Sequence, residues 1–391
     1  MLNLFKYLYR SLYWGAEPLN SDSYPPKDVY YNVNGGDNNK RALVLWVAEP
    51  FSPGFLHSNL ARHSNLRRAC ILVDILGSLG FSVDVTDWMN PAPPQSKEYQ
   101  VIIGQGIAFE RVCQASKLGV TKIFLATGAD NSQAIRGERR RLRSFGLRTG
   151  IVGKLRYRRR TDKGPCCADF IFVNGNEWVS STYRTKTRAP LSLIANCDVF
   201  NAPKIYSLPL QNRDSREFLW FASFGAIHRG LDLLIEIFSD RPDLTLHVVG
   251  GIEHEQEFWL AYTDILCRCT NIKFYGFLDI SGKVFSGILA KSSAHLFLSA
   301  SDGSPGAVVT TMQAGLIPIV TRESGIDVSV DGIVLKNVWK GTILQAVNAV
   351  SNMTPSELRT RGDRIAEYAL KSFNEQRFEE TVRGALVKAL V

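Results

Sequence analysis

Twice along this chain, apolar runs of strand length alternate with segments of helical apolar period, and the second series starts afresh just past the middle. The first series runs RALVLWVAE from Arg41, NLRRACILVDILGSLG to Gly80, then FSVDVTDW, YQVIIGQG and TKIFLATG. The second opens with EFLWFAS from Glu217. It continues HRGLDLLIEIFSD, LTLHVVGG, EQEFWLAYTDILCRC, NIKFYGF, SGKVFSGILAKS and AHLFLSA. A chain that keeps switching period in this way predicts parallel sheets with helices on both faces. Its 391 residues exceed what one hydrophobic core fills, so the reading is α/β with two Rossmann-like domains facing across a cleft.

The expected divisions follow the composition. Residues 1–39 are turn-rich and polar and read as an N-terminal extension; residues 40–212 form the first domain and 213–373 the second. The joint falls near NAPKIYSLPLQNRDS, with Pro203 and Pro209, and a last helix at 374–391 is expected to pack back on the first domain. Ligands of open α/β sheets lie beyond the carboxyl ends of the strands. The loops there are residues 50–54, 104–106 and 127–130 in the first half, and 223–229, 250–251, 276–277 and 302–306 in the second.

The densest of these is SASDGSPGAVVTTMQAGLIPIV, residues 299–320. Ser304 reads as an N-cap and Pro305 as the first residue of a helix at 305–314, stopped by Gly315. The first free amides are then those of Gly306, Ala307 and Val308, with Gly303 and Gly306 allowing close approach, which makes an anion site. The plainer alternative is a capped helix whose glycines serve only the turn. SFGAIHRG sets His228 and Arg229 just beyond the first strand of the same domain, and VVGG adds a side-chain-free approach at Gly250 and Gly251. One guanidinium and two bare loops aimed at one helix start describe a nucleotide-diphosphate site.

From about Phe218 to Leu335 the chain resembles the donor domain of retaining glycosyltransferases with the GT-B fold, the large group-1, family-four-like type. In that family the first strand ends in Gly-Arg, and a Lys-Gly then opens a helix; here those positions are Ser223, Phe224, Arg229 and Gly230. The later Glu-Gly loop, second Glu with seven residues between it and the first, Ala-Met and Gly-x-Pro strand read here as Asp302-Gly303, Thr310, Thr311-Met312 and Gly315-Leu316-Ile317-Pro318. Gly325 and DGIVL match the following segment, and VVTTMQAGLIPIV resembles a branch among bacterial exopolysaccharide and surface-glycan transferases, including those of lipopolysaccharide. The first half shares only the strand-helix rhythm of the acceptor domain.

The resemblance implies a hexosyltransferase that moves a sugar from a nucleotide-sugar to a hydroxyl of a glycan or lipid-linked glycan, with retention. It implies that Arg229, Asp302 and His228 carry the chemistry. Ser223, Gly225, Gly250, Gly251, Phe277, Gly303, Ser304, Gly306, Ala307, Val308 and Thr310 would hold the donor, with the backbone at Gly276 and Phe277 meeting the base. Asp302 is one methylene shorter than the family's Glu. Thr310 replaces the acid that holds the ribose, and Phe224 replaces one of two phosphate-facing cations. On the acceptor side the candidates are His57, His63 and Asp130, each of which also reads as a solvent-facing or capping residue. A sugar-nucleotide epimerase, or a non-catalytic glycan-binding scaffold of the same fold, are the alternatives.

Other chemistries lack their residues. VIIGQGIAF ends in Phe109 where a dinucleotide fingerprint needs Gly, and neither a P-loop nor a Gly-x-Ser-x-Gly elbow occurs. No two Asp are separated by a single residue, so the expected enzyme is metal-independent and needs no cofactor beyond its nucleotide-sugar substrate. The seven Cys form no C-x-x-C pair and suit reduced thiols in a cytoplasmic setting. Residues 136–163 hold twelve Lys or Arg against Glu138 and Asp162, more than the whole chain's formal +9. That block reads either as a solvated loop or as a dock for an anionic membrane surface, with the segment Phe5 to Trp14 as an interfacial helper. The expected placement is then the inner face of the plasma membrane. Nucleic acid is not expected as a partner, because only Phe145 and Tyr157 offer stacking surfaces there.

Overall fold

A computed structural model describes residues 29–57, 60, 64–94, 98–156, 163–197 and 213–391. The aromatic-basic start, His63, residues 157–162 of the basic block and most of the proposed joint lie outside the described residues. The chain divides into two units, one made of residues 29–132, 163–197 and 372–391, the other of 133–156 and 213–371.

The first-half unit has a seven-stranded sheet in the order β1-β3-β2-β4-β5-β6-β7. Its strands are β1 (Val29–Tyr30), β2 (Asp37–Trp46), β3 (Phe81–Asp87), β4 (Val101–Gly104), β5 (Thr121–Ala126), β6 (Phe170–Asn174) and β7 (Leu191–Ile194). Only β1 is antiparallel, pairing Val29 with Thr86. Residues 29–39, read from sequence as part of the extension, therefore belong in part to the sheet.

Alternation along β2 shows why both faces are covered. Ala42, Val44 and Trp46 pack with Leu72 and Leu76 of α1 (Ser64–Ser78) on one face. Leu43 and Leu45 pack with Phe109 and Val112 of α2 (Gly106–Ala115) on the other. α3 (Asn131–Thr149), the four-residue α4 (Gly164–Cys167) and α5 (Glu177–Arg184) follow.

The second-half unit has a six-stranded, wholly parallel sheet in the order β10-β9-β8-β11-β12-β13. The strands are β8 (Asp214–Phe221), β9 (Thr245–Val249), β10 (Ile272–Gly276), β11 (Ser292–Phe297), β12 (Ile317–Thr321) and β13 (Ile333–Leu335). Between them run α6 (Leu231–Ser239), α7 (Gln256–Arg268), α8 (Lys283–Lys291) and α9 (Gly306–Gln313). In β8, Leu219 packs on Phe285, Ile288 and Leu289 of α8, while Phe218 meets Phe238 of α6 edge-on at 5.5 Å. α10 (Lys340–Ser351) and α11 (Pro355–Ser372) close this unit; α12 (Glu375–Leu390) sends Phe378, Val382 and Leu386 into the first-half core.

The described part of the basic block, residues 136–156, is not a solvated loop. Its first part is helix α3, and it packs with the second-half unit although the sequence order places it in the first domain. Arg148 binds both Asp232 and Glu236, Phe145 lies 6.2 Å from the Tyr262 ring, and the buried Arg141 donates to the carbonyls of Leu298 (2.8 Å) and Ile227 (3.4 Å). Carboxylates and carbonyls waiting on α6 and the strand ends take up the arginines that face inward. Arg136, Arg139, Arg140 and Arg143 remain exposed on α3.

Candidate functional site

Strands β8 and β11 are neighbours, yet β9 and β10 follow on one side and β12 and β13 on the other. Their carboxyl ends therefore border the topological switch point, where such sheets leave a crevice. Two loops emerge there, and main-chain bonds lace them together: Ala300 N donates to His228 O at 2.9 Å and Leu298 N to Arg229 O at 3.2 Å. Across that lacing Arg229 Nε donates to Asp302 Oδ2 at 3.1 Å. A second arm of Arg229, Nη1, donates to the Phe224 carbonyl, and its guanidinium carbon stands 5.4 Å from the Phe224 ring and 5.5 Å from that of Phe297. These contacts fix a planar cation at the sheet edge.

His228 lies behind this pair. Its Nε2 is 2.7 Å from the Ser301 carbonyl and 3.3 Å from Ser299 Oγ, which in turn donates to Asp302 Oδ2 at 3.3 Å. The carbonyl places the ring proton on Nε2. Burial, with Arg156 and Arg229 adding to it, pushes the His228 pKa well below its usual value, so the ring stays neutral. At 3% exposure it is a support under the loop, its buried Nδ1 without a hydrogen-bond partner among the described residues.

Glu255, which the sequence reading passed over, holds the other loop. Its carboxylate accepts from Gly225 N at 2.6 Å and Ala226 N at 2.8 Å. Burial raises its pKa against the opposing pull of those amides, Arg156 and Arg229. The one local signal for it is an acidic residue directly ahead of α7; the turn it holds lies about thirty positions earlier in the chain. Gly225 takes φ +88°, open to glycine; Gly250 admits no side chain, since a Cβ would stand 2.2 Å from Ala222 O. Gly251 N donates to Ser223 O at 2.8 Å and Gly250 N to Gly276 O at 2.9 Å, so the three bare loops adjoin. Ser223 and Phe277 stand exposed beside them.

The 302–306 turn departs from its sequence reading in detail. Ser304 does not cap the helix. It adopts a left-handed φ of 44° and its amide donates to Gly325 O at 3.1 Å, while Asp302 N donates to Glu323 O at 2.8 Å. Those bonds to the loop after β12 swing Ser304 away, and Pro305 becomes the residue ahead of α9. Val308 N is spent on Pro305 O at 3.0 Å. The amides of Gly306 and Ala307 are the ones with no backbone partner among the described residues. Thr310 is buried and its hydroxyl donates to Gly306 O at 2.9 Å, inside its own helix. Gly303 lies in the open turn, half-buried. At the far end of α9, Arg213 donates to the carbonyls of Ala314 and Gly315, complementing the negative end of the helix. Burial lowers the Arg213 pKa to about 10.

The first-half candidates belong to the other unit. His57 is exposed beyond the turn Glu49–Phe51. Asp130 is buried and caps α3, accepting from Ser132 N at 3.1 Å and from the Ser132 hydroxyl. Among the described residues no three His, Cys, Asp or Glu side chains gather as a metal site, and no helix is long and apolar enough to cross a membrane.

No known family profile matches the chain, and no curated protein matches it in sequence. Solved structures do. A complex of Anabaena HepE with UDP-glucose matches with TM-score 0.59 at 14% identity, over 89% of this chain and 99% of that one. The chain has the GT-B fold. Sucrose-phosphate synthase from Thermosynechococcus elongatus matches with TM-score 0.59 at 12% identity, covering 90% and 99%. WaaG, a glycosyltransferase involved in lipopolysaccharide biosynthesis, matches with TM-score 0.52 at 13% identity, covering 88% and 98%. In GT-B terms, the described pair Arg229–Asp302 occupies the switch point of the second Rossmann-like body.

Proposed function

We propose that the protein transfers a sugar from a nucleotide-sugar to a hydroxyl of a glycan or lipid-linked glycan, with retention and without a metal. The observation that carries this is the coupling of Arg229 to Asp302 at the switch point, beside the two open amides of α9. In the reaction the bond between the anomeric carbon and the diphosphate oxygen breaks, and its electron pair stays on the phosphate. Arg229 and the amides of Gly306 and Ala307 stabilise that charge as it develops. The acceptor oxygen bonds the anomeric carbon, and its proton passes to the leaving phosphate on the same face. Asp302, steadied by Ser299 and Arg229, orients the sugar hydroxyls. The bare loops at Ser223, Gly225, Gly250 and Gly251 admit the nucleotide, and Phe277 offers a ring to the base. The likeness to structures holding UDP-glucose supports this donor class, and the likeness to WaaG supports a role in surface polysaccharide synthesis.

The exposed arginines 136, 139, 140 and 143, spaced three and four apart on α3, favour work at an anionic membrane face. The test of the central reading is a panel of UDP-, GDP- and dTDP-sugars scored for thermal stabilisation and for transfer to glycan acceptors. Stabilisation with transfer supports it. Glycan binding with no nucleotide dependence would make the protein a scaffold instead.

A further inference from the structure

We infer that Arg156 is a second phosphate-facing cation of this site, supplied from the basic segment and taking over from position 224, where the chain carries Phe. The inference rests on the nucleotide-sugar reading and names a further residue for its leaving group.

Arg156 is far from the site in sequence, but the segment 133–156 packs with the second-half unit. Its place there is set by Glu138 of α3, whose Oε1 accepts from the Arg156 amide at 3.0 Å and from Nε at 3.1 Å. Glu138 is itself buried, so this anchor holds the start of the side chain and directs the rest of the guanidinium onward. Its destination is the Gly225 turn. A methyl group placed on Gly225 would lie 2.9 Å from Arg156 Nη1 and 3.3 Å from Arg229 Nη1. Both guanidiniums also use one ring, with their central carbons 5.8 Å (Arg156) and 5.4 Å (Arg229) from the centre of Phe224.

Two like charges brought to one glycine repel, and the repulsion is relieved when an anion of two or more charges lies between them. Among the described residues Glu138 holds the base of Arg156, Asp302 binds Arg229, and Glu255 takes the amides of Gly225 and Ala226. The field of the pair is felt locally, since Arg156 and Arg229 both oppose a positive charge on His228. Phe224 is then a ring that both guanidiniums share, and the absence of a side chain at Gly225 lets both come close to the turn. A diphosphate offers oxygens to both forks at once, which a single carboxylate does not.

The experiment is calorimetric titration of the full-length protein with UDP, GDP and dTDP and with uridine, guanosine and thymidine. The proteins are wild type, Arg156→Ala, Arg156→Lys and the double variant Arg156→Ala/Phe224→Arg, each checked for its unfolding midpoint. Arg156→Ala is expected to weaken the preferred diphosphate about tenfold, the scale of one charge-assisted hydrogen bond, and to leave its nucleoside unchanged. Arg156→Lys should fall between, and Phe224→Arg should recover most of the loss by restoring a cation from the other strand end. Unchanged diphosphate affinity in Arg156→Ala overturns the assignment while the donor reading stands. Equal losses for diphosphate and nucleoside, with no recovery in the double variant, reduce Arg156 to a structural role and also overturn it. A wild type that binds none of the diphosphates removes both readings.

Discussion

Arg229 and Asp302, 73 positions apart, form one 3.1 Å ion pair because β8 and β11 lie side by side and each delivers one of them at its carboxyl end. Under the proposed function the pair couples a residue for phosphate to one for sugar. That coupling makes the two separable by substitution. Arg229→Ala should lower turnover by about a hundredfold, near 3 kcal/mol, and weaken binding of the intact donor much less, since it acts on charge that grows as the diphosphate leaves. Asp302→Asn keeps the shape and should spare free nucleotide diphosphate while impairing use of the sugar donor. Transfer assays alongside calorimetry decide it; wild-type turnover in both variants means the reaction happens elsewhere.

Thr310 stands where the resemblance expects a ribose ligand, but its proton is committed to Gly306 O and the residue is 3% exposed. Thr310→Val is therefore expected to leave nucleotide affinity unchanged. A loss of about 1 kcal/mol, the scale of one neutral hydrogen bond, would return the ribose role to this residue.

Glu255 is expected to matter for stability as well as for the loop. Glu255→Ala strands the amides of Gly225 and Ala226, and an unpaired buried donor costs about 1–3 kcal/mol. Glu255→Gln keeps one acceptor oxygen and should cost less. Urea unfolding gives the order; equal midpoints for all three proteins would show that the loop holds itself.

Acid should find His295 early. The ring is fully buried, with Nδ1 2.8 Å from Thr311 Oγ1 and Nε2 accepting from Phe221 N at 3.2 Å, and burial lowers its pKa to about 3. The unfolded chain binds this proton near pH 6.5 and the folded one does not. The stabilisation is thus whole above that pH and is lost as pH falls from 6.5 toward 3. Comparing wild type with His295→Gln across pH 7.5 to 5 in urea should show a steeper loss in wild type, by about 1.4 kcal/mol per pH unit. Parallel curves would mean that the ring gains its proton without unfolding.

The basic stripe of α3 gives a separate test. Wild type should float with liposomes containing anionic lipid and release as salt rises; replacing Arg139, Arg140 and Arg143 by Glu should abolish this without changing nucleotide affinity. Binding that ignores both salt and lipid charge would exclude an electrostatic dock.

Much of this protein was legible in its sequence because strand and helix periods are local properties. The apolar alternation at 217–300 already implied the parallel sheet, the strand ends already pointed to Arg229 and Asp302, and the bare positions at Gly250 and Gly251 already marked where a backbone could approach. What tertiary structure alone decided was where charged side chains end. The twelve basic residues of 136–163 look alike in sequence, yet Arg141, Arg148 and Lys154 go to carbonyls and carboxylates within 213–371, while Arg156 goes to Glu138 of α3. Ser304 has the composition of an N-cap, but its amide is claimed by Gly325, a residue that becomes its neighbour only when β12 returns beside β11. Glu255 serves amides 29 and 30 positions away. Capping and ion pairing are contests among all groups within a few ångströms, and a linear sequence names the contestants without stating the distances.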